Sequence, residues 1–179
     1  MLAVTRYHDA VSKGFTKDDA TDEPLVVPAR APLPEGTPNY VTPRGLGLLR
    51  EEHAAMGAAR AREQAAAAEG DSDAVHRVTV LATRIGELEV RLSSAELVDP
   101  ATQPHDEVRF GAAVTVQPEE GAPRSYRIVG VDEADVAEGR VAFVSPLARA
   151  LLGKRVGDVA VVRSPRGEEE LEVTAIAYE

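Results

Sequence analysis

The chain has 179 residues, with 20 Lys+Arg against 30 Asp+Glu, a formal net charge of −10 and no cysteine, which leaves room for one medium domain or two small ones and excludes disulfides, a thiolate nucleophile and a Cys-based zinc site. The acidic balance argues against holding DNA by charge alone, and aromatic residues at 4% are too few for a large aromatic ligand pocket. No apolar run approaches the ~20 residues that span a bilayer, and residues 1–12 lack the basic start and apolar core of a signal peptide; a soluble, cytoplasmic monomer with no membrane partner is the expectation.

The prolines divide the chain. Six of the 12 stand at positions 24, 28, 32, 34, 38 and 43, and none falls between Arg44 and Asp99. Residues 1–39 read as a flexible, acidic, Pro-rich tail. Its Lys17-to-Glu23 charge run and the prolines that follow favour extended conformers and bury little apolar surface.

Residues 40–99 read as two helices, because Pro is strongly disfavoured inside a helix. Thr42 is the expected N-cap, with Pro43 in the first helical position. Leu46, Leu49, Met56 and Ala59 give a partial apolar stripe, and Gly70 stops the helix. Asp71, Ser72 or Asp73 caps the next one. In that second helix Val78, Leu81, Ile85, Leu88, Leu92 and Ala95 alternate spacings of three and four, the pattern of a coiled-coil seam. Two arms of roughly 25 residues then form an antiparallel hairpin about 37 Å long.

Residues 100–179 change period. Runs at 113–116, 125–129, 140–144, 159–162 and 170–178 read as strands, separated by turns at Glu120-Gly121, Glu138-Gly139 and Arg166-Gly167. One short helix fits at 146–152. The fold class expected is α+β, a helical coiled-coil hairpin followed by a small antiparallel β domain with one short helix.

Enzyme chemistry is missing. His8, His53, His76 and His105 are scattered without metal-ligand spacing. Gly45-Leu46-Gly47 begins a helix rather than a dinucleotide fingerprint, and Gly153-Lys154 lacks the upstream Gly and following Ser/Thr of a phosphate loop. Ser145 precedes Pro146 without a G-x-S-x-G frame, so a turn or helix cap is the simpler assignment. Arg60, Arg62, Arg77 and Arg84 either face a polyanion or channel wall, or are solvated charges paired with Glu63 and Glu87.

What remains distinctive is Glu69-Gly70-Asp71-Ser72-Asp73 at the far end of the hairpin. Capping alone accounts for Asp and Ser there. A second use for carboxylates on the end of a thin rod is to bring oxygen ligands to a Mg²⁺ deep inside another molecule, since Mg²⁺ takes one or two carboxylates plus waters and phosphates.

The pattern resembles the bacterial Gre transcript-cleavage factors. Tyr126-Arg127-Ile128-Val129-Gly130 leads through Asp132-Glu133-Ala134-Asp135 to Ser145-Pro146-Leu147-Ala148-Arg149-Ala150-Leu151-Leu152-Gly153-Lys154 and on to Gly157-Asp158. Val108-Arg109-Phe110-Gly111, Glu172-Val173, Thr42-x-x-Gly45 and Arg84-Ile85-x-x-Leu88-Glu89 belong to the same pattern. The resemblance implies a C-terminal domain similar to FK506-binding peptidyl-prolyl isomerases (FKBP-like). It further implies that this domain docks on RNA polymerase at its secondary channel, with Ser145, Pro146, Leu147, Ala148, Leu151 and Leu152 at or beside the contact. The tip acids, here Asp71 and Asp73, would then help hold a catalytic Mg²⁺ supplied at the polymerase active centre, and the polymerase would hydrolyse backtracked nascent RNA. No cofactor of the chain's own is implied. The family's tip motif is close to G-D-x-S-E-N-A-E-Y. Gly70 and Asp71 match it, Asp73 aligns with the second acid after deletion of one residue, and Ala74-Val75-His76 keeps neither Asn nor Tyr. Each arm is also about 5–7 residues shorter, roughly 8–10 Å of reach. Two mechanisms therefore compete: stimulated cleavage, or occupation of the channel by a shortened rod that does not catalyse. A peptidyl-prolyl isomerase is the enzyme alternative, and it needs an aromatic-lined pocket where Phe110, Phe143, Tyr126 and Tyr178 read as core.

Overall fold

Pro43 has no amide hydrogen to leave unpaired and its ring presets a helical φ, so the chain enters its first helix directly behind Thr42. The computed structural model describes residues 33–164 and 167–178. In it β1 (Asn39–Val41) leads into α1 (Pro43–Ala68), whose N-cap Thr42 accepts from the Gly45 amide at 2.9 Å. Gly70, at φ +103°, lets the chain reverse, and α2 (Ser72–Ser93) returns. With 26 and 22 residues, the arms are about 39 and 33 Å long. β2 (Ala95–Leu97) then pairs with β1 in parallel. The hairpin is thus the crossover that any parallel pair needs.

The base of the hairpin carries its core. Val41, Leu49, Met56, Ile85 and Leu88 are buried together, with Leu46, Leu92 and Ala95 packed against them. Of the expected seam, Ile85 and Leu88 are buried, while Val78, Leu81 and Leu92 are half-buried. Ala95 lies in β2, beyond the end of the helix. Toward the tip the apolar residues of α1 are alanines, so the arms have little apolar volume to bury there, and Ala74 is the fully buried residue of the first turns of α2.

The C-terminal half is a five-stranded sheet in the order β5-β4-β3-β7-β6. It comprises β3 (Ala113–Pro118), β4 (Arg124–Val129), β5 (Arg140–Ala142), β6 (Val159–Ser164) and β7 (Gly167–Ala177), with α3 (Pro146–Leu151) between β5 and β6. Val114, Val116, Ile128, Val141, Ala160, Leu171 and Val173 face α3, which contributes Ala148 and Leu151 to one core. Four strands pair antiparallel, but β5 runs parallel to β4. The wholly antiparallel sheet expected from turn spacing is corrected at that pair. A 3₁₀ turn at Val136–Glu138, capped by the Asp135 carboxylate, carries the chain back alongside Arg127 of β4, where β5 begins. Most of the tail expected at 1–39, and the Arg166 turn residue, lie outside the described residues; Asn39 itself opens β1.

The hairpin core makes a direct prediction. Leu88→Ala removes a fully buried side chain and should cost about 2–5 kcal/mol. Val90→Ala, at a position 69% exposed, should change stability by less than about 0.5 kcal/mol. Urea denaturation followed by circular dichroism distinguishes the two.

Candidate functional site

The turn between the arms leaves α2 with unpaired N-terminal amides, and Asp71 answers two of them. Its Oδ1 accepts from the Asp73 amide at 2.9 Å and the Ala74 amide at 3.2 Å. Its Oδ2 accepts from an Arg77 guanidinium nitrogen at 2.8 Å, and Arg77 Nε reaches across to Glu63 of α1 at 2.7 Å. Arg77 therefore ties the two arms where hydrophobic packing is thinnest. The hydrogen bond from Arg77, followed by the Ala74 and Asp73 amides, holds the Asp71 carboxyl below its ordinary value of 3.8. Asp73 sits in the first helical turn and is exposed, as is Glu69. The structure thus brings Asp71 and Asp73 together at the end of the rod, with Asp71 already occupied as cap and ion-pair partner. Among the described residues no group of three or more His, Asp or Glu is arranged to hold a metal alone.

The segment at 145–152 is built differently. Ser145 caps α3, its hydroxyl accepting from the Ala148 amide at 3.2 Å, with Pro146 in the first turn. Ala148 and Leu151 have no exposed surface, and Leu147, Ala150 and Leu152 are half-buried against the same core. Ala148 and Leu151, two of the residues expected at or beside the contact, are thus core residues. Pro146 and Arg149 are the exposed members.

A third feature escaped sequence reasoning: the junction of hairpin and sheet. Glu133, 5% exposed, follows β4 and points its carboxylate at the start of α1. There the Thr42 hydroxyl donates to Oε2, and Arg44 donates to Oε1 at 3.2 Å. Arg91 of α2 pairs with Asp132 at 3.4 Å, both side chains under a tenth exposed. Tyr40 of β1 packs on Phe110 and Phe143 at centroid distances of 5.6 and 5.7 Å, so two of the aromatics expected in the sheet core clasp the hairpin base. Gly45 and Gly130 mark the same closeness: a Cβ at Gly45 would stand 2.8 Å from Glu133 Oε2, and one at Gly130 2.7 Å from the Tyr40 carbonyl. The signal available was two glycines and two adjacent acids, none of which announces a partner some ninety positions away.

Beside this junction a groove of about 690 Å³ runs between the hairpin base and the sheet, lined by Arg44, Ser125, Arg127, Glu133, Glu138 and Arg140 among others, with Tyr126 its one aromatic residue. Arg44 and Arg140 are paired with Glu133 and Asp135. Tyr178, the remaining aromatic of the isomerase alternative, donates to the Glu107 carbonyl at 2.7 Å and accepts from the Arg109 amide at 2.8 Å. Burial raises its phenol pKa.

A depressed carboxyl contributes stability above its unfolded pKa and loses it as pH falls through the lower folded value. The Asp71 cap should therefore hold unchanged from pH 8 to 5. Amide protection at residues 70–76, read by NMR hydrogen exchange, should fall only as pH drops below 3.8. Asp71→Asn keeps the cap but loses the Arg77 pair, and its protection should be reduced already at pH 7. Equal protection in both proteins at pH 7 would show that the pair does not hold the tip.

With this geometry established, known proteins place the chain. The family model described as transcription elongation factor, GreA/GreB, C-terminal, matches residues 103–178. The transcription elongation factor GreA of Ralstonia nicotianae is 40% identical over 152 residues, 77% of this chain and 96% of that protein. GreB of Neisseria meningitidis serogroup B is 34% identical over 155 residues, 79% and 95% of the two chains. GreA of Thioalkalivibrio sulfidiphilus is 45% identical over 97 residues, 53% of this chain and 61% of that one. Among solved structures, GreA factor homolog 1 of Thermus thermophilus aligns with 79% of this chain and 99% of its own at 24% identity and a TM-score of 0.36. Identity of 40% across nearly the whole length of a GreA protein, together with the C-terminal match, makes this chain a member of the GreA/GreB family of transcription elongation factors.

Proposed function

We propose that the chain acts on RNA polymerase in the cytoplasm, docking through its sheet domain at the secondary channel and presenting Asp71 and Asp73 to the active-centre Mg²⁺ so that backtracked RNA is cleaved. The observation that carries this is the placement of two carboxylates at the end of a rod about 39 Å long, Asp73 exposed and Asp71 with its side chain 42% exposed. Mg²⁺ accepts one or two carboxylates alongside waters and phosphates, and the hydrolytic chemistry belongs to the polymerase's metals. Pro146 and Arg149 form the exposed part of the segment proposed to dock, with Ser145 fixing its turn and the half-buried Leu147 and Leu152 behind it.

One observation favours the second mechanism, channel occupation without cleavage. Asp71 Oδ2 already accepts from Arg77, which leaves that oxygen one free lone pair and places a guanidinium charge beside the position a Mg²⁺ would take. A chain acting this way slows nucleotide addition and stimulates no cleavage.

The test is cleavage of RNA in backtracked complexes. Asp71→Asn with Asp73→Asn should leave polymerase affinity within about twofold and abolish stimulated cleavage at low Mg²⁺, with partial recovery at high Mg²⁺. Double-mutant cleavage equal to wild type would remove the tip from the mechanism. For docking, Arg149→Glu reverses an exposed charge without touching the core, and should weaken polymerase binding about tenfold or more. Normal binding by this folded variant would place the contact elsewhere.

A further inference from the structure

We infer that Glu133 is a positioning residue: its buried carboxylate is the pin that fixes the angle between hairpin and sheet domain, and hence where the tip stands when the sheet domain is docked. The last clause rests on the proposed function; the pin itself does not. Glu133 belongs to the sheet domain, following β4, yet the side-chain donors on its carboxylate both come from the first residues of the hairpin, Thr42 and Arg44. A buried carboxylate without donors is strongly disfavoured, so a change of angle that kept the junction closed but drew Thr42 and Arg44 off the carboxylate would leave this charge buried and unpaired. Thr42 couples the pin to the helix itself, because the oxygen that donates to Glu133 also accepts the Gly45 amide and so caps α1. Arg91 with Asp132 provides a second attachment on the other arm. With one tie on α1 and another on α2, rotation about either is opposed by the other. Small angular errors matter on a rod of this length: by arc length, a tilt of 15° displaces a point about 39 Å away by roughly 10 Å.

The test needs no polymerase. The chain has no cysteine, so Ala65→Cys on α1 and Glu120→Cys in the β3–β4 turn, both at exposed positions, accept spin labels in the full-length protein. Pulsed electron–electron spectroscopy then gives the distance distribution between tip-side helix and sheet. Glu133→Ala should at least double its width while circular dichroism and the melting of each unit stay as in wild type. Glu138→Ala, exposed at the rim of the same groove, should leave the width unchanged. Gly45→Ala approaches from the hairpin side: alanine favours helix, but its methyl displaces the carboxylate from Thr42, so broadening is expected there too, and this variant decides the matter if Glu133→Ala fails to fold. An unchanged distribution in either variant that folds overturns the assignment, whatever the protein does to transcription. Broadening with tip-dependent cleavage absent even in wild type would keep the pin and reject only the proposed function.

Discussion

One buried carboxylate governs how the two halves of this molecule meet. Glu133 is desolvated by the junction, and the side-chain donors that satisfy it belong to the hairpin. Because a buried charge left unpaired costs several kcal/mol, the closed junction is satisfied only in the register that brings Thr42 and Arg44 onto this carboxylate. The aromatic contact of Tyr40 with Phe110 and Phe143 adds apolar area to the same seam, and Gly45 and Gly130 allow the backbones to approach that closely. A long thin element is useful for reaching only if its base is held, and here the base is held by charge, ring packing and the absence of two methyl groups.

Along the hairpin the balance of forces changes. Near the base, Leu49, Met56, Ile85 and Leu88 form an ordinary hydrophobic core. Near the tip alanine replaces the large residues on α1, and the arms are joined by Glu63, Arg77 and Asp71 instead. A narrow rod cannot carry bulky side chains to its end without widening, so polar ties take over where packing runs out. The same exchange makes Asp71 both a structural residue and a candidate metal ligand. Its two oxygens serve amides and a guanidinium in the free protein, and Oδ2, with one donor, keeps a lone pair for a metal.

Local pattern made much of this legible. The proline-free stretch, the cap at Thr42 and the Gly70 stop follow from short-range backbone chemistry and are found in place; of the three caps open at 71–73 the structure uses Asp71, and of the turn or cap open at Ser145 it uses the cap. Strand positions followed from period and turn residues. What local pattern does not carry is pairing between distant segments. The parallel β1–β2 and β4–β5 pairs depend on where connections lead the chain, and Asp132-Glu133 finds its partners 41 to 91 positions away. Gly45 reads as a helix start from its neighbours, yet its lack of a side chain serves Glu133. Leu151 and Ala148 lie in the segment that carries the resemblance and fill a core, and a sequence motif does not distinguish a core from a surface that binds.

Family membership settles that this is an elongation factor of the GreA/GreB kind; the reach of its hairpin is the central mechanistic claim. The most direct measurement replaces the polymerase's active-centre Mg²⁺ with Fe²⁺ and lets locally generated hydroxyl radicals cut the bound factor. The account predicts cuts confined to the hairpin end, around residues 69–73. Full binding with no cuts there, or with cuts only on the sheet domain, would contradict it.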